Sequence, residues 1–313
     1  MSEEVVPEHL QYQYQRYLEH HEAVESVKRK LTSGEYPLEE VGCFCGADDD
    51  KELLKLDRDG IPHRIVVCNH CALTRANPRM TADAYKRFYN DEYRKFVYRW
   101  LNVKPTDQWH EVKQVRKKEY DLGKRLHEKL VNEDIVFPKV VVDFGCFLGG
   151  MLDYFKDRGA TETYGIEFND AAREAAIAQG HKVVATIDEL IELGVKADLV
   201  IMQDLIEHLL DLREVEKVRQ ILKPEGYLYV DTPGLFRRDP IHYWQLAHTW
   251  YFVASTLQWV MDQFGFRATY LDEDSTSFWQ VGPKPVTVPP TPQECVEYIT
   301  AEALGANERK LPP

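Results

Sequence analysis

The sequence predicts an α/β fold that follows a small cysteine-bearing module. Three observations lead to this prediction. From Pro138 onward, short β-branched runs alternate with helical segments, the pattern of a parallel sheet with helices on both faces. A glycine-rich turn follows the first of these runs, in VVVDFGCFLGG. Two close pairs of cysteines lie in the first quarter of the chain.

The α/β segment contains seven predicted strands. Gly159 and Gly265 are expected to end two of its helices, and a Lys-Pro-Glu-Gly turn is expected before the fifth strand. In chain order, the strands are VVVDF, TYGIE, KVV, ADLVIM, GYLYV, RATYL and FWQVG.

The segments around this core differ in composition, which predicts five regions. Thr81 is expected to cap the first helix after the cysteine module. The regions are a polar helical segment (1–39), a zinc-binding module (40–80), a helical connector or lid (81–136), the cofactor-binding domain (137–282), and a proline-rich linker with a last helix (283–313).

Charge and hydrophobicity exclude two classes of partner. The chain of 313 residues has a net charge of −13 and no dense basic stripe, which disfavours nucleic acid. No apolar run approaches the roughly 20 residues that span a bilayer, and the acidic N-terminus has no apolar signal core. We therefore expect a cytoplasmic protein with no membrane partner.

The glycine-rich turn predicts a nucleotide-type cofactor site. A buried strand delivers Asp143, Gly145, Cys146 and Gly149 to a helix N-terminus, whose N–H groups suit the carboxylate of an amino-acid cofactor. Glu167 ends the next strand, where an acid accepts ribose hydroxyls. The alternative is that these turns serve packing alone.

Two further segments, ADLVIMQDLIEHLLDL and LKPEGYLYV, complete a resemblance to the class I S-adenosylmethionine-dependent methyltransferases. The resemblance implies a Rossmann-like seven-stranded sheet and S-adenosylmethionine as the cofactor. It assigns the glycine loop to Asp143, Gly145 and Gly149, ribose binding to Glu167, and the methionine end to Gln203 and Asp204.

Four residues near this site are open to two interpretations. Phe147 stands where the family has its middle glycine, so it is expected either to narrow the cofactor site or to cover it. Cys146 belongs to the loop, where a buried cysteine also serves as a small hydrophobic residue. Glu207 and His208 follow the fourth strand, where they either hold a loop together or take part in the chemistry.

The paired cysteines predict a structural zinc site. Four thiolates, from Cys43, Cys45, Cys68 and Cys71, can surround Zn²⁺ tetrahedrally. The first pair is C-x-C rather than C-x-x-C, so His70 is an alternative ligand. Four cysteines without metal are the other alternative.

The segment CNHCALTRANPRMTADAYKRFYNDEYRKF resembles the zinc-binding N-terminal module of methyltransferases that act on nucleotide sugars and polysaccharides. In that group the metal is structural and the helix of the module lies over the cofactor. The resemblance thus implies that Tyr89 and Tyr93 line the site, and ordinary aromatic packing is the alternative.

Methyl transfer to a hydroxyl or a carbon acid needs a base. The resemblance implies His248, in AHTWYF, as the first candidate, with His242 and Tyr243 as alternatives. Carbon-methylating relatives have a glutamate before this histidine, and here the residue is Ala247, which favours oxygen.

We therefore expect methyl transfer to a small-molecule substrate, a nucleotide-linked or glycan sugar. The alternatives are methylation of RNA or of another small molecule, and an inactive scaffold with the same fold. The sequence leaves the acceptor, the pathway and the oligomeric state open.

Overall fold

The computed structural model describes residues 8–93, 95–96, 113–235, 244–284, 288–290, 293 and 296–301, with side chains described from residue 17 onward. Within these residues, every helix is too short or too polar to cross a membrane.

A seven-stranded mixed sheet forms the centre of the molecule, which confirms the predicted fold class. The strand order is β12-β13-β10-β9-β6-β7-β8, with β13 antiparallel to both of its neighbours and the other pairs parallel. These strands are β6 (Val140–Phe144), β7 (Glu162–Ile166), β8 (Lys182–Val184), β9 (Ala197–Gln203), β10 (Leu222–Asp231), β12 (Phe266–Leu271) and β13 (Thr276–Val281).

Helices cover both faces of this sheet. Gly159 and Gly265 follow helix ends with φ angles of +102° and +72°, as predicted. The predicted Lys-Pro-Glu-Gly turn is instead an irregular start of β10, where the pairing with β9 shifts between Leu222 and Tyr227. The helices are α1 (Glu8–Ser33), α2 (Ala82–Asp91), α3 (Lys113–Asn132), α4 (Gly150–Asp157), α5 (Asp170–Ala178), α6 (Ile187–Glu192), α7 (Glu214–Ile221) and α8 (Ala254–Gln263).

The cysteine module shares a sheet with a later part of the chain. Its antiparallel sheet has the order β11-β4-β3-β2. The member from outside the module, β11, pairs with β4 and therefore joins this sheet to the region after β10. The strands are β1 (Leu38–Glu39), β2 (Asp50–Leu56), β3 (Pro62–Cys68), β4 (Thr74–Ala76), β5 (Arg79–Met80) and β11 (Trp250–Tyr251), with β1 paired to β5.

Helix α2 lies over the carboxyl edge of the large sheet. Its N-terminus is capped by Thr81, as predicted, whose side chain accepts from the Ala84 N–H. At its other end, the Asn169 amide donates to Asn90 at 3.0 Å, beyond the end of β7. This edge, where parallel strands present their carboxyl ends, is where ligands bind in open α/β sheets.

Candidate active site

The glycine-rich turn connects β6 to α4 and is held tightly against β7. The N–H groups of Gly145 and Cys146 both donate to the Ile166 carbonyl, at 2.8 and 3.1 Å. Gly145 has a φ of +85°, and a Cβ there would lie 2.9 Å from Leu205. Phe147 also has a positive φ, +45°, which costs energy for a residue with a Cβ. Phenylalanine therefore occupies a position whose backbone conformation favours glycine.

Cys146 faces the core rather than the edge of the sheet. It is 3% exposed and belongs to the apolar cluster around Val141 and Phe155. A Cβ added at Gly165 would lie 2.4 Å from its sulfur, so the thiol packs directly on the β7 backbone. This contact explains why a small residue is needed there.

A carboxylate of the chain occupies the start of α4, where the sequence predicted a cofactor carboxylate. Glu119 of α3 accepts hydrogen bonds from the N–H groups of Gly150 and Leu148, at 2.8 and 3.5 Å. Burial raises the pKa of Glu119 to about 8. Sequence reasoning missed this residue because it lies in a polar, highly charged helical stretch that indicates a solvated surface.

Two buried acids lie at the ends of β6 and β7. Glu167 is 6% exposed and accepts from the N–H groups of Asn169 and Phe147, at 2.7 and 3.1 Å. Burial raises the pKa of Glu167 to about 7. Burial and, to a smaller extent, the Glu167 charge also raise the pKa of Asp143 to about 7. Both can accept hydrogen bonds from ligand hydroxyls when ionised.

The end of β9 presents a second polar group to the same edge. The Gln203 amide donates to Asp204 and to Asp231, at 3.0 and 3.1 Å. Asp204 has a φ of +48°, and its N–H donates to the Asp231 carbonyl at 2.7 Å. The chain therefore turns sharply here, next to the glycine-rich turn.

A short 3₁₀ turn (Ile206–His208) then carries Glu207 and His208. Glu207 is 2% exposed and accepts from the Thr232 hydroxyl at 2.8 Å through Oε2. Its other oxygen, Oε1, has no hydrogen-bond partner among the described residues and lies 4.0 Å from Nε2 of His208. Burial raises the pKa of Glu207 well above its ordinary value.

The described part of the chain brings two imidazole rings together. The rings of His208 and His248 have centroids 4.7 Å apart and are nearly perpendicular. His208 Nδ1 lies 2.9 Å from the Ala247 carbonyl, which only accepts, so this nitrogen carries the proton. The lone pair of His208 is therefore on Nε2. Burial lowers the pKa of His208 to about 4, which keeps the ring neutral.

Tyr89 of α2 contacts His208, one of these two histidines. Its hydroxyl oxygen lies 2.9 Å from His208 Nδ1, and its ring packs edge-on against Phe168. Because Nδ1 already carries a proton, the tyrosine oxygen accepts and its hydrogen is available to another group. Tyr93 packs on Tyr89, with ring centroids 4.6 Å apart. His242 and Tyr243 lie outside the described residues.

The four cysteines of the module form one cluster. Their sulfurs all lie within 4.8 Å of one another. Two of the sulfur pairs, Cys43–Cys71 and Cys45–Cys68, are 3.4 and 3.6 Å apart. Tetrahedral coordination at about 2.3 Å places sulfurs about 3.8 Å apart, whereas a disulfide needs about 2 Å. His70 is 62% exposed and lies 3.6 Å from Asp49, away from the cluster.

The family comparison agrees with this fold. Residues 110–271, just over half of the chain, match the model of a protein family described as a methyltransferase domain. The chain belongs to this family and is an S-adenosylmethionine-dependent methyltransferase. No curated protein matches the sequence.

Several solved structures are similar to parts of this chain at low sequence identity. An S-adenosylmethionine-dependent methyltransferase from Clostridium acetobutylicum is 14% identical, with a TM-score of 0.43, over 61% of this chain and 99% of that one. Magnesium protoporphyrin IX methyltransferase from Synechocystis is 13% identical, with a TM-score of 0.46, over 64% and 98%. An amino pentose methyltransferase from Micromonospora echinaspora is 13% identical, with a TM-score of 0.42, over 56% and 98%.

Proposed function

We propose that this methyltransferase acts on a hydroxyl group of a sugar, nucleotide-linked or part of a glycan, in polysaccharide or natural-product biosynthesis. The observation that carries the proposal is the neutral His208 ring at the carboxyl edge of the sheet. Its Nε2 lone pair receives no hydrogen bond from the described residues and therefore suits a hydroxyl proton. The first candidate from the sequence, His248, has Nε2 already 2.5 Å from the Gln245 amide.

The residues at this edge fit S-adenosylmethionine. In this proposal Glu167 would accept hydrogen bonds from the ribose hydroxyls, and Asp143 with the glycine-rich turn would border the nucleoside. Gln203 and Asp204 would hold the methionine end. The start of α4 is occupied by Glu119, so the cofactor's carboxylate would have to bind away from the N–H groups that Glu119 already occupies. Cys146 supports the turn by packing on the backbone of β7, and Phe147 forms part of the turn itself.

The chain's own groups then have distinct tasks. When bound, the cofactor supplies a methyl group on a sulfonium, which is electrophilic. Alignment of the acceptor oxygen with that methyl is the main requirement. The Tyr89 hydroxyl donates to an oxygen of the acceptor, and His208 Nε2 takes the proton as the oxygen–carbon bond forms and the carbon–sulfur bond breaks. Glu207, whose pKa is raised by burial, holds the 3₁₀ turn beside this ring through its hydrogen bond from the Thr232 hydroxyl.

Two features support a sugar over other acceptors, and a third favours an oxygen over a carbon of that sugar. The cysteine module and its helix resemble those of sugar methyltransferases, and α2 lies over the edge where they would meet a substrate. The net charge of −13 disfavours RNA. Alanine at position 247 removes the glutamate of carbon-methylating relatives, which favours oxygen. His242 and Tyr243 stay alternative bases, and a small molecule of another class and an inactive scaffold stay alternative functions.

We also propose that the four cysteine thiolates hold a structural Zn²⁺. The distances between their sulfurs fit one tetrahedral ion, and a closed site of four protein ligands leaves no position for substrate. Hydrogen bonds from Cys43 and Cys71 lower the pKa of Cys68, so one thiolate is favoured even without metal. Zinc held by thiols fits a reducing compartment, and we place the protein in the cytoplasm.

Cofactor affinity is expected to rise with pH between 6 and 8. The pKa values of Asp143 and Glu167 are both raised to about 7, so these acids are mostly protonated below that pH and ionised above it. If one must ionise to bind, Kd for S-adenosylmethionine falls about tenfold per pH unit below 7 and levels off above 8. Calorimetry in buffers of different ionisation enthalpy should also record release of a proton.

Two variants sharpen this measurement. Glu167→Gln should bind the cofactor more weakly and with a flatter pH dependence, because the carboxylate is gone. Asp188→Asn, at an exposed ion pair with Lys217, should leave the profile unchanged. A Kd that is constant from pH 6 to 8 in the unaltered protein would show that neither acid changes its protonation on binding.

Methyl transfer from isotopically labelled S-adenosylmethionine tests the acceptor class. A panel of nucleotide sugars, lipid-linked glycans and bulk RNA would be read by mass spectrometry. Label on a sugar oxygen is the expected result, and label on a sugar carbon would correct the atom but keep the class. Label on RNA alone would overturn the proposal. Cofactor binding with no transfer to any acceptor would favour a different small molecule or a scaffold.

A further inference from the structure

The turn between β2 and β3 extends from the cysteine module to the segment that carries His248. The N–H of Arg58 donates to the Trp244 carbonyl at 2.7 Å. The N–H of Leu246 donates to Asp57 Oδ2 at 3.2 Å. Asp57 is 4% exposed, and its other oxygen accepts from the N–H groups of Asp59 and Ile61. The turn is therefore well organised and clamps residues 244–246 from one side.

Arg58 extends this clamp to a side chain. Its guanidinium, only 12% exposed, donates from Nη2 to Gln245 Oε1 at 3.1 Å. A guanidinium has donors only, so the oxygen of the amide must face Arg58. The NH₂ group of Gln245 then necessarily faces the opposite way, toward His248.

That orientation determines the tautomer of His248. Gln245 Nε2 lies 2.5 Å from His248 Nε2, and an amide NH₂ group only donates. His248 Nε2 is therefore the acceptor, and the ring proton is on Nδ1. The carbonyl of Ala247, the residue directly after the clamped segment, fixes the proton of His208 on Nδ1 in turn. One segment thus sets the protonated nitrogen of both imidazole rings.

We propose that Arg58 and Gln245 are positioning residues for the histidine pair, through which the cysteine module controls the protonation geometry of the active site. Neither side chain needs to touch the acceptor for this role. The inference rests on the proposed function for its consequence on rate, but the tautomer itself is a property of the protein without substrate.

Nitrogen-15 NMR of the imidazole rings tests the tautomer directly. In the unaltered protein, His248 should show its proton on Nδ1. Gln245→Glu replaces the donor with an acceptor and should move the proton to Nε2. Arg58→Met frees the amide to rotate and should give a mixture of both tautomers. A His248 proton on Nε2 in the unaltered protein, or an unchanged spectrum in both variants, would overturn the proposal.

Kinetics supply a second readout. Arg58→Met should lower kcat about tenfold and leave Kd for S-adenosylmethionine within about twofold, because only orientation is lost. Arg58→Lys keeps a donor and should restore most of the rate. Lys55→Met, at a 77% exposed side chain near the same turn, is the control and should match the unaltered protein. Should no acceptor be methylated at all, the proposed function fails and the NMR result still decides this inference.

Discussion

Replacing His208 with alanine is expected to lower kcat by about 10²- to 10⁴-fold, the usual contribution of a positioned base. Nε2 of this ring holds the lone pair that faces Glu207 and receives no hydrogen bond from the described side chains. Affinity for S-adenosylmethionine should change by no more than about twofold. Single-turnover methyl transfer to the acceptor that the labelling experiment identifies measures the rate, and calorimetry measures the cofactor affinity.

Comparison with a second imidazole makes this experiment decisive. His248→Ala should cost less, because Nε2 of His248 already accepts from Gln245. His70→Ala, at a ring that is 62% exposed, should have the rate of the unaltered protein. Added imidazole should restore part of the rate to His208→Ala by entering the space left by the ring. The reverse ranking, with His248→Ala slower than His208→Ala, would return the role of base to His248.

The pH profile of the rate gives an independent check on the same ring. Burial lowers the pKa of His208 to about 4, so the ring is neutral at every pH above 5. An unperturbed histidine would lose its lone pair below pH 6.5. Between pH 5 and 6, any fall in kcat should therefore reflect groups other than this base.

The fold was predictable because its signals are local. The central strands β6 and β9 are short apolar runs that are buried on both faces, and Val141 and Val142 of β6 are fully buried. Glycines with positive φ, such as Gly159 and Gly265, mark the helix ends. These patterns need no knowledge of contacts between distant residues.

The residues at the carboxyl edge were predictable for a related reason. Parallel strands end at the same edge, which predicts that Asp143 and Glu167 lie near one another, and the resemblance to the methyltransferase family adds Asp204. What the sequence could not supply is which atoms face each other. Tyr89 and His208 are 119 residues apart in sequence, and Arg58 and Gln245 are 187 apart. Glu119 was missed because its partners are backbone N–H groups, which leave no sequence pattern.

The cysteine cluster packs into the core of the large domain and does not only hold its own module together. Cys43, Cys68 and Cys71 belong to the apolar cluster that includes Trp259 and Phe264 of the large domain. Phe44, between the first two cysteines, packs edge-on against both of those rings, at 5.6 and 5.4 Å. Strand β4 pairs with β11, only two residues after His248. Unfolding of the module would therefore disturb the position of His248 in the active site.

If the four cysteines hold the proposed Zn²⁺, its loss is expected to remove both stability and activity. Cys71→Ser should reduce bound zinc from about one ion per chain to none. Structural zinc sites contribute on the order of 10 kcal/mol to the folding of small metal-binding domains. A buried module without it should unfold and expose the cluster around Trp259. Metal analysis, thermal unfolding and methyl transfer would be measured on the same preparation.

A matched cysteine variant separates metal loss from the cost of a buried hydroxyl. Cys146→Ser changes a cysteine that is also buried but belongs to a different apolar cluster, the one around Val141 and Phe155. It should lower stability by about 1–3 kcal/mol, the penalty for an unpaired buried polar group, and should keep one zinc ion. Strong chelators should reproduce the Cys71→Ser result in the unaltered protein. Full activity and an unchanged melting temperature in zinc-free protein would show that four reduced thiols suffice to hold the module together.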